Sequence, residues 1–158
     1  MARVTAEEPQ PRHLVTLFAA DDLRREAHRV TELESQDVPV EFERCLVVAP
    51  GSLVEQWQDE LFFKFGLRFD LLTNQLIDAN INLNVFESNP LLIARMDQLS
   101  RNEELQEKLM SAREWDLIIC DEAHRMSATY FGGEVKYTRR YQVGQKLGQV
   151  CRHLLLMS

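Results

Sequence analysis

The chain has 158 residues, 45% of them hydrophobic and 27% charged, and its 18 Lys and Arg against 25 Asp and Glu leave a net charge of −7. That length suits one domain with a buried core, and the acidic balance excludes nucleic-acid binding by bulk electrostatics while allowing a narrow contact built from backbone amides and hydroxyls. No apolar run approaches the ~20 residues of a membrane span and the N-terminus has no signal-peptide core, which predicts a cytoplasmic protein with no membrane partner.

Residues 1–13, with Pro9 and Pro11 among polar neighbours, are expected to form a loose tail. From Leu17 to Leu33 the absence of Gly and Pro and the wealth of Ala, Glu, Arg and Leu predict a helix, with Leu23, Ala27, Val30 and Leu33 as a thin apolar stripe. Pro39 breaks the chain before "CLVVAP" (45–50), a β-branched run that reads as a strand buried on both faces. Ser52 and Glu55 have capping-box spacing. Leu53, Val54, Trp57, Leu61, Phe62 and Phe65 follow as one apolar helix face assigned to core packing, and Gly66 is the stop. "FDLLT" (69–73) and "LLIAR" (91–95) read as strands, and Asn80–Pro90, with four asparagines, as a loop. Arg101–Arg113 is helical with Leu105 and Leu109 inward. "DLIIC" (116–120) is a strand, "TYFGGEVKYTRR" (129–140) an exposed loop, Tyr141–Cys151 a helix and "HLLLM" (153–157) a closing strand. Apolar strands alternating with amphipathic helices define an α/β fold, a parallel sheet flanked by helices. Cys45, Cys120 and Cys151 are odd in number and lack C-x-x-C spacing, so they read as reduced, mostly buried thiols.

In an open parallel sheet, ligands bind outside the carboxyl ends of the strands. "APGS" (49–52), "DEAH" (121–124) and "LLLMS" (154–158) fall there. A carboxylate at a strand end suits a magnesium ion that bridges nucleotide phosphates, and its neighbour can orient or deprotonate a water. The same Asp-Glu pair also suits a solvated strand end whose acids favour the dipole of a following helix. Local chemistry leaves both readings open.

The ordered motifs resemble the first RecA-like domain of superfamily 2 helicases, with the Swi/Snf-type DEAH-box helicases of bacteria nearest. "DEAH" after "DLIIC" is similar to their second motif, "LVVAPGSLVEQWQDEL" (46–61) to motif Ia, "LLIARMDQLSR" (91–101) to motif Ib, and "HLLLMS" (153–158) to the start of motif III. "DEAHRMS" and "YFGGEVK" match that group in style. The resemblance covers 42–158 and leaves 1–41 as a tail and helix standing where motif I belongs. It implies a P-loop NTPase-type domain that is incomplete, ATP and magnesium as cofactors, DNA as partner, and a second RecA-like domain that is missing. By the same resemblance Asp121 coordinates magnesium, Glu122 activates the hydrolytic water, and His124 links the nucleotide site to Ser158. Gly51 and Ser52 match positions that touch a DNA backbone phosphate, Ser52 being compatible with a plain helix cap as well, and Arg95 and Asp97 are candidates for strand contacts.

Motif I itself, a Gly-rich loop ending in G-K-T or G-K-S, has no counterpart. "AADD" (19–22) is similar to its lead-in, yet "LRREAHRV" (23–30) follows with neither Gly nor Lys, and the first glycine of the chain is Gly51. Arg24 and Arg25 bring positive charge, but side chains on a helix do not reproduce a nest of backbone amides. The expectation is therefore an ATP-binding domain of a DNA helicase or translocase that hydrolyses ATP poorly. The alternative is a non-catalytic remnant or interaction module that keeps the fold. A magnesium-dependent nuclease or phosphatase built on Asp121 and Glu122 is disfavoured, because such sites gather more carboxylates.

Overall fold

The apolar runs of the sequence return through helices rather than tight hairpins, and strands joined that way lie parallel. The computed structural model describes residues 14–18, 42–126, 128–131 and 134–158. In chain order its elements are β1 (Leu14–Phe18), β2 (Cys45–Ala49), α1 (Val54–Phe65), β3 (Asp70–Leu71), α2 (Asn74–Ala79), α3 (Val85–Ser88), β4 (Leu91–Arg95), α4 (Met96–Arg101), α5 (Glu103–Ser111), β5 (Trp115–Cys120), β6 (Ala128–Phe131), β7 (Glu134–Tyr137), α6 (Arg139–Gln149) and β8 (Cys151–Met157). Six strands form one parallel sheet in the order β1-β8-β5-β2-β4-β3, and β6 and β7 pair separately as an antiparallel hairpin.

β2 is central and all five of its residues are buried. Alternation sends Leu46 and Val48 to one face and Cys45, Val47 and Ala49 to the other. The first face packs against Leu99, Leu105, Leu109, Val143 and Leu147 from α4, α5 and α6, and the second against Val54 and Leu61 of α1 with Phe69. Register is fixed by these contacts, with Val47 opposite both Ile93 and Ile119, because a slip of one residue would exchange the two faces. Cys45, Cys120 and Cys151 are buried and free. Burial pushes the thiols of Cys45 and Cys151 up to about 12 and that of Cys120 up as well.

The amino-terminal edge of the sheet is tied down by charge. The Asp116 Oδ2 atom accepts the amides of Glu43 and Arg44 at 2.9 and 3.0 Å, and Oδ1 lies 3.4 Å from Arg152 Nη1. Burial alone would raise the Asp116 carboxyl, but the two amides together with Arg152 and Arg44 outweigh it and hold the group below its ordinary range. Arg44, only 5% exposed, lies 4.4 Å over the ring of the fully buried Trp115 and donates to the carbonyls of Phe86 and Glu87. Arg113 pairs with Glu87 beside them.

Several expectations are corrected. Leu17 and Phe18 belong to β1, which pairs with β8, so residues expected to begin a helix are strand. The rest of that helix and the tail 1–13 lie outside the described residues. Asn80–Pro90 contains α3, whose buried Val85 and Phe86 draw the chain inward, while the Asn84 side chain caps it by accepting from the Phe86 amide. The expected exposed loop 129–140 holds the β6–β7 hairpin and the start of α6. The expected face of α1 is narrower than its spacing implied, because Phe62 and Phe65 are 40% and 56% exposed, and Phe63 is 79% exposed. Gly66 ends α1 as expected, at φ 68°, ψ 13°, a left-handed conformation that glycine adopts without a Cβ clash.

Candidate active site

Parallel pairing brings the carboxyl ends of all six strands to one edge, and the sequence motifs meet there. Pro50 and Gly51 leave β2, Met96 and Asp97 leave β4, Asp121 and Glu122 leave β5, and Ser158 follows β8. Pro50, Asp97, Asp121, Glu122, Arg125 and Arg140 help line a small cleft of about 20 Å³, room for one water-sized occupant.

Asp121 is fixed through both oxygens. Its Oδ1 accepts the Glu122 amide at 2.8 Å and its Oδ2 accepts the Trp57 indole N–H at 2.9 Å, while its own amide continues the sheet by donating to Val48. Glu122 has φ 53°, ψ 41°, the left-handed region that few residues other than Gly enter and that is enriched where backbone strain serves a site. The turn sends the chain into a short 3-10 helix, Ala123–Arg125. Glu122 Oε2 then lies 3.2 Å from His124 Nε2 and 3.5 Å from Arg125 Nε. On its other side, His124 Nδ1 is 3.3 Å from Ser158 Oγ. With a proton on Nε2 facing the carboxylate, which only accepts, Nδ1 is free to accept from the serine hydroxyl. His124 therefore bridges the ends of β5 and β8.

The candidates after β2 and β4 form a second group. Gly51 and Ser52 are exposed on a turn closed by Leu53 N–H to Pro50 O at 2.9 Å. This turn makes Leu53, not Ser52, the residue at the N-cap of α1, with no side-chain bond to the first turn, so the expected capping box is not formed. α4 likewise starts without a capping side chain, whereas Thr73, Asn84, Asn102 and Thr138 cap α2, α3, α5 and α6. Among the described residues, α1, α4 and the 3-10 turn Ala123–Arg125 start without a capping side chain, and they leave β2, β4 and β5. The Arg95 side chain passes Gly51, where an added Cβ would sit 3.4 Å from Arg95 Cδ. Asp97 accepts from Arg140 Nη2 at 2.6 Å and Nε at 3.1 Å, so its carboxylate is engaged by the protein itself.

Sequence reasoning missed three of these residues. Trp57 was assigned to the core alone, and half its role lies in a contact 64 residues away. Arg140 was placed in an exposed loop, and Arg125 was passed over. No spacing in the chain announces such tertiary pairs.

A family model described as "type III restriction enzyme, res subunit" matches residues 16–147. The chain belongs to that family. Among curated relatives, the RNA polymerase-associated protein RapA of Sodalis glossinidius is 31% identical over 160 residues, covering 97% of this chain and 16% of the relative. The proteins of the same name from Yersinia pestis and Yersinia enterocolitica are each 35% identical over 121 residues, 73% of this chain and 12% of theirs. The chain thus spans less than one fifth of the length of these relatives. With the parallel sheet and the ordered motifs, the match makes this chain a partial first RecA-like domain of the superfamily 2, Swi/Snf-related kind. No helix among the described residues is long and apolar enough to cross a membrane.

Proposed function

We propose that this chain carries the magnesium and water-handling half of an ATP site in a superfamily 2 motor that acts on DNA. The observation that carries the reading is the bridge of Glu122, His124 and Ser158 beside the clamped Asp121. Among the described residues no three His, Cys, Asp or Glu side chains gather as a metal cage. Magnesium does not require one, since it keeps several waters and is held by one or two carboxylates plus substrate phosphates. Each Asp121 oxygen already takes one donor and retains a lone pair, so the residues present fit a hydrated divalent ion, whose hold nucleotide phosphates would strengthen. When bound, the ion would neutralise charge on the transferred phosphoryl group. Asp121 would hold it, the Oε1 atom of Glu122 would orient the attacking water, and His124 would pass changes at Glu122 to Ser158.

Phosphate grip is what the chain lacks. Residues 1–50 contain neither Gly nor Lys, so nothing between β1 and β2 offers the glycine nest and lysine that hold β and γ phosphates elsewhere. The uncapped first turn of α1, with Gly51, Ser52 and Arg95 beside it, suits a nucleic-acid backbone phosphate, which would add affinity without sequence preference. Asp97 contributes by holding Arg140 at that surface. Calorimetric titration with Mg-ATP tests the balance: the expected outcome is no saturable binding at micromolar nucleotide, and micromolar affinity would show that the phosphate loop is dispensable here.

The same lack of Gly and Lys favours a second reading, a module that keeps the fold for interaction and turns nothing over. A measurable ATPase rate of the purified chain that disappears in Glu122→Gln would sink it.

A further inference from the structure

We propose that Trp57 is a positioning residue for Asp121, its indole N–H fixing the orientation in which that carboxylate meets a divalent cation. The proposal rests on the reading of Asp121 as a metal ligand. A free carboxylate turns about its Cβ–Cγ bond and spreads its lone pairs over many directions. Here the Trp57 indole takes Oδ2 at 2.9 Å and the Glu122 amide takes Oδ1 at 2.8 Å, one fixed donor per oxygen, so the plane of the group is set. Neither donor can itself ligate a cation, because an indole N–H and an amide N–H only donate, and each carboxylate oxygen keeps a further lone pair for the ion.

The indole is itself held. Trp57 is half-buried and packs on the core face that contains Val54, Leu61 and Ile93, and Val54 and Leu61 anchor the same helix. A side chain with an apolar body and one polar N–H matches such a place, the ring in the core and the N–H at the wet edge. Groups that hydrogen-bond a metal ligand rather than the metal typically shift metal affinity 10–100-fold. A single, partly exposed carboxylate puts the expectation here at the lower end. α1 also begins at the turn 51–53, so one rigid helix ties the surface turn after β2 to the acid at the end of β5.

The chain has two tryptophans, so its indole N–H resonances can be told apart with one Trp57→Phe variant. Asp121→Ala should move the Trp57 indole proton upfield and leave that of Trp115 in place; an unmoved Trp57 signal would overturn the proposal without reference to any metal. Mn2+ added alone should broaden the Trp57 signal before that of Trp115. Trp57→Phe, which keeps the packing and deletes the N–H, should weaken Mn2+ binding about tenfold as read by electron paramagnetic resonance of the free ion. Equal Mn2+ affinity in the two proteins would refute the positioning role. Failure of the unaltered chain to bind Mn2+, with the indole still responding to Asp121→Ala, would instead remove the metal reading of Asp121 on which the proposal stands.

Discussion

At the amino-terminal edge of the sheet, Asp116 takes two backbone amides and an arginine, and Arg44 is buried over Trp115 with its guanidinium on two carbonyls. At the carboxyl edge, Asp121 takes one amide and one indole, Glu122 reaches His124 and Arg125 through a single oxygen, and α1 and α4 start without a capping side chain. The first edge turns most of its polar groups on each other, although the buried Arg44 Nε and Trp115 Nε1 have no hydrogen-bond partner among the described residues; the second leaves lone pairs and donors open toward solvent. A buried charge without partners costs several kcal/mol, so the amino edge has to be closed. An edge that is to take a nucleotide or a phosphate backbone has to stay partly unsatisfied.

Substitutions should separate the two edges by size of effect. Trp115→Ala, which empties a fully buried ring and strips the cover from Arg44, should cost about 3–5 kcal/mol in urea denaturation. Arg44→Met should follow at about 2–3 kcal/mol, because the carbonyls of Phe86 and Glu87 lose charged donors in a buried place. Asp116 gives the contrast a pH dependence. Its folded-state value lies below the ordinary 3.8, so its stabilising contribution is complete above that value and is lost as pH falls through the depressed one. Denaturation midpoints taken from pH 5 down to pH 2 should therefore drop less steeply in Asp116→Asn than in the unaltered chain. Smallest should be Glu122→Gln at the other edge, under about 1 kcal/mol, since only exposed pairs to His124 and Arg125 are weakened. A loss there as large as that of Arg44→Met would abolish the distinction.

Much of the sheet was legible in the sequence because β2 and β4 are buried on both faces and β5 is buried on one and partly buried on the other, so all three read as apolar runs. The acids of Asp121 and Glu122 were legible for the same reason, standing directly against the end of such a run. What was not legible came from competition between local and tertiary preference. Ser52 has capping spacing with Glu55, but the turn after Pro50 moves the helix start to Leu53. Phe62 and Phe65 have the spacing of a core face, yet the second side of the sheet meets α1 only along Val54, Trp57 and Leu61. Leu14–Phe18 runs into a stretch of good helix formers, and only its pairing with β8 reveals a strand. The Trp57 contact to Asp121 leaves no local trace at all.

The placement of β8 between β1 and β5 also sets an order of assembly. β2, β4 and β5 can pair as soon as residue 120 is made, whereas the neighbour that β1 has among the described residues is the strand 151–157. β1 therefore waits for residues 151–157 before it meets this neighbour. Closing so long a loop is slow, and during that interval the β5 flank that β8 covers stands open, which makes the pairing of this seven-residue strand a late step in building the sheet.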